Sequence, residues 1–179
     1  MSYPQLASPL YHGSTVPVER VDVTKGAVKK DFGRGFYTTA DVDQAERFAR
    51  LKARREGLAE GHVSVFRLAD LEGLAVQRFL RSDADWFDFV LQNRGYARWV
   101  GSGPRVVWDI VIGPVANDAV GLVLNQFVAG VYGDPGSREA KDTAIRLLLA
   151  QKLHGQVLFA TVRSAARLER MEAYRVRVE

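Results

Sequence analysis

The stretch Asp31-Phe32-Gly33-Arg34-Gly35-Phe36-Tyr37-Thr38-Thr39 carries the most distinctive local pattern in this chain of 179 residues. Two glycines separated by one residue let the backbone approach a second strand or a ligand closely, because neither has a Cβ atom. The aromatic residues beside them present flat apolar faces. A third glycine at the Rossmann spacing is missing and no βαβ unit surrounds the run, so the pattern does not predict that fold.

A second short pattern, Tyr11-His12-Gly13-Ser14, lies earlier in the chain. Leu10 to His12 reads as a buried strand, and its end offers an imidazole next to a glycine whose backbone a ligand can reach. An imidazole, bare backbone groups and an aromatic face together describe a slot for a flat, amide-bearing ring attached to a sugar. Nicotinamide riboside is such a group.

These two patterns resemble the first two motifs of the ADP-ribosyltransferase superfamily, in the branch with a His-Tyr-Glu set that includes diphtheria toxin and the poly(ADP-ribose) polymerases. More narrowly, parts of the chain are similar to a bacterial family catalogued as domain of unknown function 3990 and regarded as ADP-ribosyltransferase-like. The resemblance covers most of the chain. The segments that carry it, besides His12-Gly13-Ser14, are residues 30–39, 109–118 and 156–161.

The resemblance implies that NAD is the substrate and gives each candidate residue a role. His12 hydrogen-bonds a ribose hydroxyl, Gly13 holds the nicotinamide amide, and Tyr37 stacks on the ring. Phe48 is a second candidate for stacking. From the residues alone, His12, Tyr37 and Phe48 could equally be core side chains, since buried aromatic residues are common. Supporting candidates for the NAD site are Ser14, Gly35, Thr38 and Thr39.

Two further residues bear on catalysis. The third motif of the superfamily begins with a glutamate, whereas this chain has Gln156 there. An amide can orient a ribose hydroxyl, but it offers no negative charge to an oxocarbenium-like transition state; the alternative is an exposed turn residue. Asp109 lies within the apolar run 106–112 and would be costly to bury unpaired. It either faces the cleft and supplies the missing charge or pairs with an arginine.

Strands and helices alternate without regular βαβ spacing, which favours the α+β class. The resemblance implies one domain over residues 1–179, with a split two-sheet core and a helical insertion at about 78–152. Strands are expected at 10–12, 62–68, 106–112, 156–160 and 174–178. Helices are expected from Asp41 to about 55, from Asn117-Asp118 to 128, at 137–152 and at 164–168. A further helix is expected to begin at Ser82.

Composition narrows the chemistry. The chain has no cysteine, which excludes disulfides, zinc–thiolate sites and a thiol nucleophile, and its three histidines are far apart, so no metal site is expected. The net charge of +4 favours an acidic partner such as a dinucleotide, a nucleic acid or an acidic protein surface. No secretory signal or membrane span is visible, so a cytoplasmic protein is expected.

The leading hypothesis is an NAD-dependent mono-ADP-ribosyltransferase, a bacterial toxin or effector that modifies a protein or a nucleic acid. The resemblance to compact bacterial toxins implies a protein antitoxin as a partner. If water is the acceptor, the protein is an NAD glycohydrolase. Two alternatives stay open: a non-catalytic module that binds NAD or ADP-ribose, and a basic toxin that binds or cleaves nucleic acid.

Overall fold

The computed structural model describes residues 9–100, 106–115, 118–149 and 154–178, and it has mixed α+β architecture with two sheets. The first sheet has the strand order β1-β3-β7 and the second β2-β6-β5-β4. The elements are β1 (Leu10–Ser14), β2 (Phe36–Thr38), α1 (Val42–Arg55), β3 (Glu60–Leu68), β4 (Val76–Arg78), α2 (Ala84–Asn93), β5 (Ile110–Val115), α3 (Asp118–Val128), α4 (Arg138–Leu149), β6 (His154–Phe159), α5 (Val162–Ala165) and β7 (Leu168–Arg177), with short 3-10 turns at Val23–Lys25 and Ala97–Trp99.

The two sheets pack face to face and are covered on their outer faces by helices. One apolar cluster lies between the sheets, a second lies between the second sheet and helices α2, α3 and α4, and a third lies between α1 and the first sheet. Fully buried side chains in these clusters include Leu10, Phe66, Trp86, Phe87, Phe127, Leu158 and Phe159. This layering leaves the edge between β1 and β2 as the junction of the two sheets.

Helix α1 begins as the sequence predicts and lies very close to the first sheet. The Asp41 side chain accepts a hydrogen bond from Gln44 N at 3.0 Å and caps the helix. A Cβ atom on Gly13 would clash with the carbonyl oxygen of Ala45 and would lie 2.9 Å from Ala49 N. Gly13 is therefore required for packing whatever else it does.

Several boundaries differ from the expectations. The strand expected at 106–112 begins at Ile110 and continues through Gly113-Pro114 to Val115. Pro114 is accommodated because β4 pairs only with Ile110–Ile112, so its ring lies beyond the paired part of that edge. The last strand begins at Leu168 rather than at 174, and this shortens the preceding helix to Val162–Ala165.

The segment 78–152 is not wholly helical, because β5 runs through it and lies inside the second sheet. Strands β2 and β4 were not foreseen, since each is only three residues long and has too little alternation to be read. The predicted helix cap at Asn117 and the predicted helix end at 150–152 lie outside the described residues. Within the described ranges, no helix is long and apolar enough to cross a membrane.

Candidate functional site

The two sheets part between β1 and β2. Tyr11 and Thr39 exchange both of their backbone hydrogen bonds, with N–O distances of 2.8 and 2.9 Å, and form an isolated bridge. Because alternate residues of a strand direct their N–H and C=O groups to the same edge, those of Gly13 face β2 and those of Tyr37 face β1. We call the gap between these facing edges the split.

His12 occupies the split on the side of the inter-sheet core. Its Nδ1 lies 2.6 Å from the backbone oxygen of Tyr37, and its ring stacks on Phe36 with 4.4 Å between centroids. Burial lowers the pKa of His12 to about 4, and the charge of Lys52 acts in the same direction. The ring is therefore neutral at pH 7. A carbonyl oxygen only accepts, so Nδ1 carries the proton and Nε2 is left as an acceptor for a hydroxyl.

Tyr37 lies on the opposite face of β2 from Phe36, and its hydroxyl is occupied. The hydroxyl donates to Gly33 O at 2.7 Å and accepts from Phe32 N at 3.2 Å. Burial raises the pKa of this phenol, which stays protonated. Tyr37 therefore uses its hydroxyl to hold the loop of residues 31–35, which we call the glycine loop, and its ring is what remains for a ligand.

The glycine loop is shaped by its two glycines and tied down by an ion pair. Gly33 has a φ of 90°, in the left-handed region that favours glycine. A Cβ atom on Gly35 would clash with the backbone oxygen of Phe159. Asp31 Oδ1 accepts from Arg94 Nε at 2.6 Å, which joins the loop to the end of α2. Sequence reasoning missed this pair, because its members are far apart in the chain.

Gln156 lies near the start of β6, opposite Gly113 of β5, and is half-buried. It shares a face with Leu158, which is directly opposite Tyr37. Tyr37 and Gln156 are thus diagonal neighbours on one face of the sheet, with Cα atoms roughly 7–8 Å apart. The fold brings together the second-motif and third-motif candidates.

Thr39 connects the three elements around the split. Its hydroxyl lies 2.6 Å from Gln44 Oε1 in α1 and 3.0 Å from the backbone oxygen of Gly155 in β6, while its backbone pairs with Tyr11. A side chain that links three elements is a structural anchor. The sequence offered both Thr38 and Thr39 as supporting candidates, and of the two Thr39 lies at the junction.

One side of helix α1 borders the split. Gln44, Phe48 and Lys52 are one turn apart each and form a stripe on the helix, and the bond from Thr39 to Gln44 places this stripe along the edge of β1. Phe48 is 40% exposed, because the buried face of the helix consists of alanines. The reading of Phe48 as a core residue is therefore wrong. Lys52 Nζ lies 5.0 Å from the centroid of its ring.

Two of the supporting candidates, Ser14 and Thr38, use their hydroxyl groups in hydrogen bonds to the backbone. Ser14 is buried, and its hydroxyl donates to Val16 O at 2.6 Å. Thr38 is buried on the opposite face from Tyr37, and its hydroxyl lies 3.4 Å from Val157 O. Because both hydroxyls are bonded to backbone oxygens, these residues help to hold the strands in position beside the split.

Asp109 pairs with an arginine, which was one of its two expected roles. It is 2% exposed, and its carboxylate accepts hydrogen bonds from Arg163 Nε at 2.6 Å, Thr161 Oγ1 at 2.6 Å and Ala75 N at 2.8 Å. These donors hold the pKa of the Asp109 carboxyl well below its usual range, and the Arg163 guanidinium has the largest effect.

Asp109 also lies away from the split. Its backbone oxygen accepts from Ala160 N at 2.8 Å, beyond the end of β6, whereas Gln156 is near the start of that strand. Four residues of extended chain span roughly 13 Å. The structure therefore does not bring Asp109 to the other candidates, and its carboxylate does not replace the charge that Gln156 lacks. Among the described residues, no three His, Asp or Glu side chains converge in a way that could hold a metal ion.

Comparison with protein families finds one that matches nearly all of the chain. The sequence profile described as "Protein of unknown function (DUF3990)" matches residues 9–169, a range that contains the split and every candidate residue. Comparisons with curated proteins and with solved structures found no match.

Proposed function

The chain belongs to the DUF3990 family of proteins of unknown function, and we propose that it is a mono-ADP-ribosyltransferase that consumes NAD. The observation that carries the proposal is that four groups border one split between two sheets: the unprotonated Nε2 of His12 on the side of the inter-sheet core, the N–H and C=O of Gly13 at the strand edge, and the rings of Tyr37 and Phe48 on the opposite side. His12, Gly13 and Tyr37 belong to motifs that resemble the ADP-ribosyltransferase superfamily, and Phe48 stands where that resemblance implies a second stacking aromatic residue.

The chemistry of these groups fits the nicotinamide end of NAD. A carboxamide has one acceptor oxygen and a donor NH₂ group, which complement the backbone N–H and C=O of Gly13. The flat ring fits against the faces of Tyr37 and Phe48. The Nε2 atom of His12 accepts a hydrogen bond from a ribose hydroxyl.

In the proposed reaction, the bond between C1′ of the ribose and the nicotinamide nitrogen breaks, and its electron pair leaves with nicotinamide. A nucleophile of the acceptor then forms a bond to C1′ and loses its proton. Gln156 would orient the ribose from the face that it shares with Tyr37. Catalysis would rest on positioning and on hydrogen bonding rather than on a covalent intermediate.

Release of nicotinamide from NAD, measured beside calorimetric NAD binding, tests the proposal. His12→Ala is expected to weaken binding or turnover at least ten-fold, on the order of 1.4 kcal/mol. His62→Ala is the matched control, since His62 lies in the same sheet and its Nδ1 is also near a backbone oxygen, that of Thr15 at 3.1 Å. A folded His12→Ala variant with wild-type binding and rate would refute the assignment.

One observation favours a second candidate function, a non-catalytic module that binds NAD or ADP-ribose. Gln156 is neutral, and the buried carboxylate of Asp109 is paired with Arg163 away from the split. Binding of NAD without release of nicotinamide would select this candidate. The basic charge of the chain supports an acidic acceptor, and its family resemblance supports a protein antitoxin as partner. A cytoplasmic location is part of the same proposal.

A further inference from the structure

Lys52 lies one turn beyond Phe48 on α1, and a second lysine, Lys30, is near enough to interact with it electrostatically. Lys52 is half-buried in the last turn of α1, and its ammonium group lies over the Phe48 ring. Lys30 is exposed in the segment that leads into the glycine loop. Its backbone oxygen accepts from Gly33 N at 3.1 Å, so its position is tied to the loop.

The two ammonium groups are close enough to affect each other. Burial lowers the pKa of Lys52, and the charge of Lys30 lowers it further, against a smaller opposing effect of Glu56. Lys52 is also near enough to His12 to lower the pKa of the imidazole. Lys52 is therefore within electrostatic range of both the imidazole and Lys30.

Neither lysine forms a salt bridge within the described part of the chain. A half-buried cation beside a second cation is unfavourable for the protein alone, since like charges repel and burial removes water from the ammonium group. An anion bound between them would relieve both costs. This arrangement is typical of a phosphate-binding site rather than of a solvated helix face.

We infer that Lys52 and Lys30 form a subsite for the diphosphate group of a dinucleotide. The inference rests on the proposed function, because Lys52 follows Phe48, one of the proposed nicotinamide contacts, along the same helix. In a bound NAD molecule the diphosphate comes directly after the nicotinamide ribose. The stripe on α1 would thus contact first the ring, through Phe48, and then the phosphates, through Lys52.

Calorimetric titration with two ligands tests the subsite. Lys52→Met removes the charge and keeps an unbranched stem over Phe48. NAD affinity is expected to fall roughly ten-fold or more, whereas nicotinamide riboside, which has no phosphate, keeps its wild-type affinity. Lys52→Arg should restore most of the NAD affinity. Arg47→Gln is the matched control, since it removes an exposed cation from the same helix and should change neither affinity.

Lys30→Gln should weaken NAD binding in the same selective way, and Lys29→Gln, which removes the neighbouring exposed charge, should not. Equal losses for NAD and nicotinamide riboside in Lys52→Met would overturn the subsite and leave the nicotinamide site standing. Inorganic pyrophosphate separates the remaining cases. If the wild-type protein binds pyrophosphate through Lys52 but no nicotinamide ligand, the subsite stands and the proposed function fails. If it binds neither NAD nor pyrophosphate, both fail.

Discussion

The Nδ1 atom of His12 lies 2.6 Å from the backbone oxygen of Tyr37, at the point where the two sheets separate. A side chain thus takes the place that a backbone N–H would have in a continuous sheet. This bond holds the two strands together where the backbone N–H and C=O of Gly13 face the opposite strand edge. The same contact fixes the tautomer of the imidazole and leaves Nε2 as an acceptor.

Stability should depend on the protonation of His12. Its pKa is lowered to about 4 from an ordinary 6.5, so the neutral ring is favoured in the folded state. This contribution is present in full above pH 6.5 and is lost as the pH falls toward 4, because the unfolded chain takes up the proton first. The loss is at most about 3 kcal/mol.

Urea unfolding of the wild type and of His12→Gln at pH 7.5 and 4.5 measures this linkage. The wild type should lose more free energy of unfolding between the two pH values than the variant does. Identical losses in the two proteins would show that His12 titrates normally.

Gly13→Ala should destabilise the fold through α1 rather than through the site. The added Cβ would clash with the Ala45 carbonyl and force the helix away from the sheet, at a cost of about 1–3 kcal/mol. Gly121→Ala in α3 is the matched control, because its Cβ would meet only Arg94 Nη1 at 3.9 Å. That change should stabilise the protein by up to about 1 kcal/mol. A Gly13→Ala variant as stable as the wild type would contradict the close packing.

Tyr37→Phe should loosen the glycine loop and keep the ring. Two backbone groups, Gly33 O and Phe32 N, lose their partner, and the free energy of unfolding should fall by about 1–2 kcal/mol. Tyr96→Phe is the control, since the Tyr96 hydroxyl makes only a 3.5 Å exposed contact with Asn125. NAD binding should suffer more in Tyr37→Ala than in Tyr37→Phe. Equal damage to binding would show that the hydroxyl matters and the ring face does not.

Gln156→Ala should lower the rate of nicotinamide release more than NAD affinity, because orientation of the ribose matters most at the transition state. Gln156→Glu adds a negative charge beside the developing cation and should raise the rate at least about ten-fold. Gln77→Glu, at the far edge of the same sheet, controls for added charge. If neither change at 156 alters the rate, the third-motif assignment fails.

Asp109→Asn should reduce stability without affecting NAD binding in the folded protein. The amide is uncharged and keeps only one acceptor oxygen for Arg163, so charge-assisted hydrogen bonding is weakened at a cost of about 2 kcal/mol. Because the pKa of Asp109 is depressed, its contribution is present above the ordinary value of 3.8 and disappears as the pH falls. Weaker NAD binding by the folded variant would contradict this assignment and show that Asp109 contributes to the NAD site.

The local features of this protein follow from neighbouring residues and could be read from the sequence. The cap at Asp41 and the helix after it were predicted correctly, since a cap depends on residues three positions apart. The boundaries of β5 and β7 were wrong, because an apolar run looks the same whether it is paired or lies beside a sheet. Strand β2 forms because it pairs with β6, which is distant in the chain, so the local sequence does not indicate it.

The sequence by itself determined the α+β class, the family and the residues worth testing, because these depend on short motifs and on composition. Only the tertiary structure decided which of those residues meet. It placed Gln156 on the face of Tyr37, paired Asp109 with Arg163 at a distance from the split, exposed Phe48, and brought Lys52 within electrostatic range of His12 and Lys30. Such relationships depend on strand pairing and on the direction of each side chain from its strand or helix, and both are established only when distant segments pack together.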